Sequence, residues 1–594
     1  MAPFACPLEP DTFFVTLAFM PETANGSAYR ILVVSLLGVV VGTAASLTAI
    51  AFVDAVLWLN QELLVSPYAR IQHEQHPRLL NAATVAVPVL GGLLVGLVVR
   101  WLVTESRGLG PPDSIMAVQT RRAPPTPASG AGSTLAALLS LGCGASVGQY
   151  GPLVYLGTIF GSLAGRLNLG IRDLQAIGIG CGVAAAISTA FNAPIAGLVF
   201  AHEVILRHYS LRAFAPVTVA SATGYVFANV IFERAPLFLV NFDGVEHSYE
   251  FPLFALEGVL AAGLAAAFMR LLVLSGRAAR ATGVPDWLRP AVAGLGLGVC
   301  GLYIPEVLGV GKETLRFATI EGAFRIDELT LILLAKIGMT ALCVGFGFVG
   351  GVFSPALLIG ILAGALYSMV LGNLLPVPQS GLVVYAICGM MAVTSPVIGA
   401  PLTTILIVFE LTRNYDLTIA AMVAVVFSNL VAYRVFGRSL FDVQLAGRGF
   451  DLSFGRDKAI LNVMRAADHM TNACTRLSPS ASVGELIRRL ANEGRSEAVL
   501  VDNNQRFLGV VRIQDVQQAD RSTPLREIAD TTGVTFDETT TIWDAMNRMR
   551  GFVGEAVPLV ARDGTFRGVV PEGAVIDAYL EAIHDLRREE NAAA

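Results

Sequence analysis

Residues 148–155, "GQYGPLVY", set a tyrosine inside a Gly-x-x-Gly-Pro turn directly ahead of a long apolar run. A second Gly/Pro turn, "GGVFSP" ending at Pro355, also precedes an apolar run. Proline is favoured in the first turn of a helix, and glycine lets backbones approach closely. The first four N–H groups of a helix lack internal acceptors, and the aligned peptide dipoles put partial positive charge there. Two helices that begin within a bilayer and point at one spot would bind an anion there through partial charges alone. That suits conduction, because a fixed lysine or arginine would release the ion too slowly. The candidate anion pathway therefore comprises Gly148, Gln149, Tyr150, Gly151 and Pro152 from one turn. From the other come Gly351, Val352, Phe353, Ser354 and Pro355.

The elements that must position these turns repeat. "APIAGLVFAHEV" (Ala193–Val204) and "APLTTILIVFEL" (Ala400–Leu411) share an opening Ala-Pro and a glutamate ten residues on, Glu203 and Glu410. Each follows its Gly/Pro turn at a similar distance. Broken, Gly/Pro-interrupted apolar segments at corresponding places in two halves point to a transporter-type fold with its site at the repeat interface.

Composition agrees with a bilayer setting. Of 594 residues, 54% are apolar and only 15% charged, with a mean hydropathy of +0.63. Soluble domains carry about a quarter charged residues. The apolar bias runs from about residue 31 to 445, in stretches that reach the roughly 20 residues needed to span a hydrocarbon core. The halves of this part fall at about 31–235 and 250–440. Residues 1–30 read as a short cytosolic segment without a cleavable signal peptide. From residue 446 onward charge returns to soluble density, so the net charge of −5 averages two unlike regions and says little about partners. The seven cysteines lack paired or metal-ligand spacing and read as small buried hydrophobes. Basic residues cluster in "RGLGPPDSIMAVQTRR", "LRHYSLR", "SGRAARATG" and the C-terminal region, which places these on the cytoplasmic side.

These residues together resemble the CLC family of chloride channels and chloride/proton antiporters, over roughly residues 31–445. "GLGPP" (Gly108–Pro112) resembles the family's GSGIP loop, "GQYGP" its GREGP turn, and "GGVFSP" its GxFxP turn. "FNAPIAGLVFAHE" and "GAPLTTILIVFELTRNYD" match the signatures that follow in each half. The resemblance implies a polytopic inverted-repeat fold of about eighteen membrane helices, many tilted or incomplete, in a homodimer with one pore per subunit. It also shows where this chain departs from the family. The gating, proton-carrying glutamate of GREGP is Tyr150 here, and the position of the second proton glutamate is Val204. The hydroxyl-donating serine of GSGIP is Leu109, beside Gly110, and the pore tyrosine aligns with Phe441.

A phenol has a reference pKa near 10 and neither carries charge nor exchanges protons readily at neutral pH. With both proton carboxylates gone, the expectation is a passive anion channel for chloride or a larger, poorly hydrated anion such as nitrate. Losing the hydroxyls at Leu109 and Phe441 predicts weak chloride affinity. Tyr150 would act as a static gate, as an anion donor through its hydroxyl, or as a plug. Among other polar groups, Lys336 would raise the local anion potential or snorkel to a membrane face. Glu203 and Glu410 are read as structural, capping a helix or pairing with a nearby arginine or backbone group, with a part in pore electrostatics as the other reading of Glu203, and His202 as a packing residue; Asp54 stays open. The runner-up function is a proton-coupled antiporter with a non-standard path through Glu203 or His202. A third reading is a sensor whose pore is closed.

The C-terminal third contains two copies of a strand–helix unit, at about 465–518 and 525–580, each ending in a polar turn and Gly-Val-Val. This resembles a tandem CBS pair, a cytosolic α/β module. The nucleotide-binding Gly-x-x-Ser/Thr-x-x-Asp pattern of such pairs is kept in part, as Gly509, Arg512 and Asp515, with arginine at the hydroxyl position. The second copy has Pro571 and Ala574 instead. A ligand-free dimerising or gating platform is favoured over an adenine-nucleotide site, so no cofactor is expected. No catalytic set or metal cluster occurs, which argues against an enzyme. The expected partners are small inorganic anions, membrane lipid and a second copy of the chain, with no nucleic acid. The expected location is a bacterial inner membrane.

Overall fold

The computed structural model describes residues 24–120, 124–167, 171, 173–234, 244–375, 378–451 and 456–590. Most of the expected N-terminal segment, residues 1–23, lies outside the described residues. Among the described residues, eighteen α-helices lie between Ala24 and Ala446. Among the described residues, eight helical stretches are long and apolar enough to cross a membrane, from Leu32–Gln72 to Tyr415–Ala446. Shorter apolar helices, such as Pro194–Leu206, Leu382–Ile398 and Pro401–Thr412, do not reach that length. This mixture of full and partial helices builds an integral membrane domain.

The two halves pack by one rule. The Tyr150–Ala164 helix lies on the Leu174–Phe191 helix, and the Phe353–Leu374 helix on the Leu382–Ile398 helix. In both pairs glycines face the partner backbone. A Cβ at Gly161 would come within 2.2 Å of the Gly178 carbonyl oxygen, and one at Gly360 within 2.6 Å of that of Gly389. Small residues permit this approach where lipid gives helices no hydrophobic reason to associate.

The repeat signatures lock the halves together. Glu203 caps the Pro401–Thr412 helix, accepting from the N–H groups of Leu402 (2.9 Å) and Thr403 (2.9 Å) and the Thr403 hydroxyl (2.7 Å). Reciprocally, Glu410 caps the Pro194–Phe200 helix through the N–H groups of Ile195 (2.9 Å) and Ala196 (2.7 Å). Each carboxylate satisfies orphan amides and meets the positive end of a dipole in the opposite half. The copies differ locally: Glu410 lies within a continuous α-helix, whereas Ala201–Leu206, which contains Glu203, is wound as a π-helix.

The C-terminal region folds as two small α/β units. In the first, β1 (Thr475–Leu477) pairs parallel with β2 (Glu497–Val501), which pairs antiparallel with β3 (Phe507–Arg512). In the second, β4 (Ala556–Val560) and β5 (Phe566–Pro571) are antiparallel. Each copy has a helix capped by a hydroxyl, Ser482 before Val483–Glu493 and Thr541 before Ile542–Arg548. Bridges Arg506↔Thr565 and Thr471↔Val569 join the copies.

Candidate functional site

The two Gly/Pro turns meet. Gly148 N–H donates to the Gly351 carbonyl at 2.6 Å, and Gly351 N–H returns a bond to the Gly148 carbonyl at 2.7 Å. This exchanged pair of bonds forms an isolated antiparallel bridge on the boundary between the repeats. The approach requires glycine. A Cβ at Gly151 would lie 2.9 Å from the Gly351 Cα, and one at Gly351 would lie 2.8 Å from the Gly151 nitrogen. The Gly151 position also faces Pro111 of the "GLGPP" loop, at 3.7 Å from Cδ. Three turns thus converge.

The bridge consumes the amides of Gly148 and Gly351, and Gln149 N–H donates to the Ser354 hydroxyl at 3.3 Å. The N–H groups of Tyr150, Gly151, Val352 and Phe353 open their helices and find no acceptor among the described residues. They are the groups available to an ion at this point. Pro152 and Pro355 follow within each first turn, where a missing N–H costs nothing.

Aromatic rings close the spot. Tyr150 is 4% exposed and stacks on Phe191, with centroids 4.1 Å apart and planes at 21°. Phe353 meets Tyr150 edge-on at 5.1 Å, and Phe200 lies 6.4 Å from Phe353. Such stacked and edge-to-face geometry holds rings in place. The Tyr150 side chain is hydrogen-bonded to its neighbour Gln149. Phe191 went unremarked in the sequence, although it opens "FNAPIAG", two residues before a repeat signature.

Other predicted residues are placed differently. Phe441 is buried in the same apolar core but outside the ring cluster, in the Leu440–Ala446 helix. Leu109 does not join Tyr150; it packs with Val103 and Tyr155 in a separate small cluster. Gly110 N–H, at the start of the Pro111–Gln119 helix, is taken by Asp113 Oδ2 at 3.0 Å. Val204 is buried at 2% exposure beside the capping Glu203. Lys336 is fully buried and does not snorkel: its ammonium donates to the carbonyls of Val307 (3.1 Å) and Gly309 (2.8 Å). Gly309 N–H in turn donates to the Gly144 carbonyl at 2.7 Å, so Lys336 braces the segment leading into the Tyr150 turn. His202 stacks on Tyr209, with its Nδ1 2.9 Å from the His208 carbonyl. Asp54 forms a bidentate pair with Arg234 at 2.5 and 2.6 Å.

An open cavity of about 290 Å³ reaches Gln149. Asn60, Arg70, Glu306 and Lys312 also line it, and it forms an approach to the first turn from the side of the Pro67–Gln72 helix.

One acidic residue escaped the sequence reading. Glu257, in the apolar run "FPLFALEGVLAAG" of the Phe251–Ala281 helix, is 3% exposed, and neither carboxyl oxygen has a hydrogen-bond partner. It occupies space left by Gly364 and Gly389, whose Cβ positions would lie 3.0 and 2.8 Å from Oε1. A lone acid in an apolar run was the available signal.

Comparison with known proteins fits this geometry. The voltage-gated chloride channel family profile matches residues 91–433. The chain belongs to the CLC chloride channel family. Two CBS domains follow, matched at 466–522 and 525–581. A putative chloride channel protein, ClcB-like, from Ralstonia nicotianae is 31% identical over 371 residues, which cover 61% of this chain and 86% of that protein. Two solved structures show the same fold. A slow cyanobacterial Cl⁻/H⁺ antiporter has a TM-score of 0.61 and 22% identity, over 70% of this chain and 98% of its own. A eukaryotic CLC transporter has a TM-score of 0.61 and 19% identity, over 93% of this chain and 99% of its own. The protein is thus a CLC-fold membrane protein with a tandem CBS pair, from a family of transporters and channels that move chloride.

In the CBS pair, Asp515 Oδ2 accepts the Arg512 N–H at 3.1 Å, which closes the turn after β3. The Arg512 guanidinium faces Glu497 at 3.8 Å and Asp530 at 3.6 Å. Burial pushes the Glu497 carboxyl above its ordinary range, while hydrogen bonds from Thr532 hold Asp530 below its own.

Proposed function

We propose that this CLC protein conducts anions passively, without proton exchange, through a pathway within each subunit of a homodimer. The observation that carries the reading is Tyr150 itself: a phenol wedged between Phe191 and Phe353 stands where a proton-carrying carboxylate would act. Val204 leaves the second carboxylate position apolar. A neutral phenol cannot swap places with an anion as a charged carboxylate can. Its hydroxyl, beside Gln149, and the unclaimed amides of Tyr150, Gly151, Val352 and Phe353 supply the donors. Leu109 and Phe441 supply none, which favours chloride held weakly, or a larger and less hydrated anion such as nitrate.

Purified protein in liposomes tests this. Anion efflux with no accompanying proton movement is expected, at similar rates with and without an uncoupler. Chloride-driven proton uptake at a fixed ratio would overturn the reading. Submillimolar chloride binding by calorimetry would contradict the weak site.

A second reading, proton-coupled exchange, draws on Glu257. Glu203 is committed to three capping bonds and His202 to packing, whereas the Glu257 carboxyl is unengaged in the membrane domain. If protons do move, Glu257→Gln is the variant that should stop them.

The CBS pair serves this function as a platform without nucleotide, on the cytoplasmic face of a bacterial inner membrane. Arg512 in place of a hydroxyl, with Glu497 and Asp530 turned toward it, supports this: a phosphate there would meet two carboxylates.

A further inference from the structure

The first clue lies at the start of the Pro111–Gln119 helix. The Asp113 side chain is only 4% exposed and holds four donors. Oδ1 accepts from Arg107 at 2.6 Å and from Arg448 at 2.9 Å. Oδ2 accepts from Gly110 N–H at 3.0 Å and from Arg107 at 3.2 Å. Arg107 also donates to the Gly108 carbonyl at 3.1 Å. The loop 107–110 is thereby fixed, and Pro111 at its end faces Gly151 of the Tyr150 turn. Glu105, bonded to Ser129, adds a second carboxylate beside Arg107.

The charges balance only with Arg448. Arg107 and Arg448 offset Asp113 and Glu105; without Arg448 the cluster carries one net negative charge next to an anion route. Arg448 is the distant member, 335 residues from Asp113. It follows the Leu440–Ala446 helix, which holds Phe441 and packs on the Pro111 helix. Past it, Phe450 and Ala459 are buried in the membrane-domain core, and Leu461 in the core of the second CBS copy. Arg448 thus sits on the covalent link between the pathway and the C-terminal pair.

We propose that Arg448 is the counter-charge of an electrostatic gate at this mouth: paired with Asp113 it lets anions enter, and withdrawn it leaves a carboxylate that repels them. This rests on the anion-conduction reading. An uncompensated charge beside an ion path, partly shielded from water, shifts the local potential enough to change entry rates by an order of magnitude.

The test is anion efflux from liposomes with full-length variants. Arg448→Gln should slow efflux about tenfold, and more at low ionic strength than at high. Arg448→Lys should keep most of the rate. Adding Asp113→Asn to Arg448→Gln should restore it, because removing the second charge removes the repulsion. Asp113→Asn alone, which keeps an oxygen acceptor for Gly110, should conduct faster than wild type even if Arg448→Gln fails to fold. Wild-type efflux in Arg448→Gln, a double variant as slow as Arg448→Gln, or Asp113→Asn slower than wild type would each overturn the proposal. Proton uptake by the wild type would instead defeat passive conduction and leave this order of rates standing.

Discussion

The two halves of the membrane domain carry matched turns, yet they have kept different things. At the scaffold the match is reciprocal: Glu203 caps a helix of the second half and Glu410 a helix of the first, with nearly equal distances. At the paired turns the match is in backbone alone. Gly148 and Gly351 exchange hydrogen bonds, but the side chains that follow are Tyr150 in one half and Phe353 in the other. The lesson is that the site's geometry rests on glycine spacing and crossed caps, which tolerate no change. The chemistry at its centre rests on side chains that can change without moving the frame.

The largest effect should come from breaking the crossed caps. Glu203→Ala would leave two helix amides and a hydroxyl, exposed or half-buried, without their acceptor, at about 1 kcal/mol for each. Glu410→Ala would strand two amides. Both variants should melt in detergent at clearly lower temperature, by similar amounts, with Glu203→Gln in between. A large drop in only one would show that the halves are not mechanically equivalent. Next in size, Tyr150→Glu should make efflux strongly pH-dependent, rising about tenfold on acidification, because a charged carboxylate blocks and a neutral one does not. Flat rates from pH 7.5 to 5 would mean that position 150 does not face the ion. Tyr150→Phe removes only the hydroxyl and should weaken anion binding by about fivefold, as one neutral hydrogen bond is worth about 1 kcal/mol.

The smallest effect lies in the CBS pair. Burial raises the folded-state pKa of Glu497, so the folded domain holds that proton to higher pH than the unfolded chain does. Stability therefore falls as pH rises from the ordinary carboxyl range through the raised value, and the deficit stays constant above it. Glu497→Gln should melt slightly higher than wild type at pH 7.5, and the two should converge near pH 4. A difference that widened toward acid would show that the ionised carboxylate stabilises the fold through Arg512.

Much of this was legible in the chain. Local rules of helix initiation singled out the turns at Pro152 and Pro355, and the spacing of Glu203 and Glu410 revealed the repeat, because both depend on residues near in sequence. The capping role of Glu203 could be named as a class, but not its partner, since the Pro401 helix lies about 200 residues away. Leu109 was grouped with Tyr150 on the strength of its loop, yet its side chain turns to Val103 and Tyr155. Nothing local fixes that direction.

Composition and turn chemistry were settled by sequence: a membrane domain in two halves, a tyrosine at a helix start, and a CBS pair behind it. Those features follow from residue type and short spacing, which act before the chain closes on itself. Only the tertiary structure decided that Phe191 covers Tyr150, that Glu257 lies unpartnered between two glycines, and that Arg448 reaches back to Asp113. Such contacts join residues tens to hundreds of positions apart, and packing alone chooses among the many partners a side chain could have met.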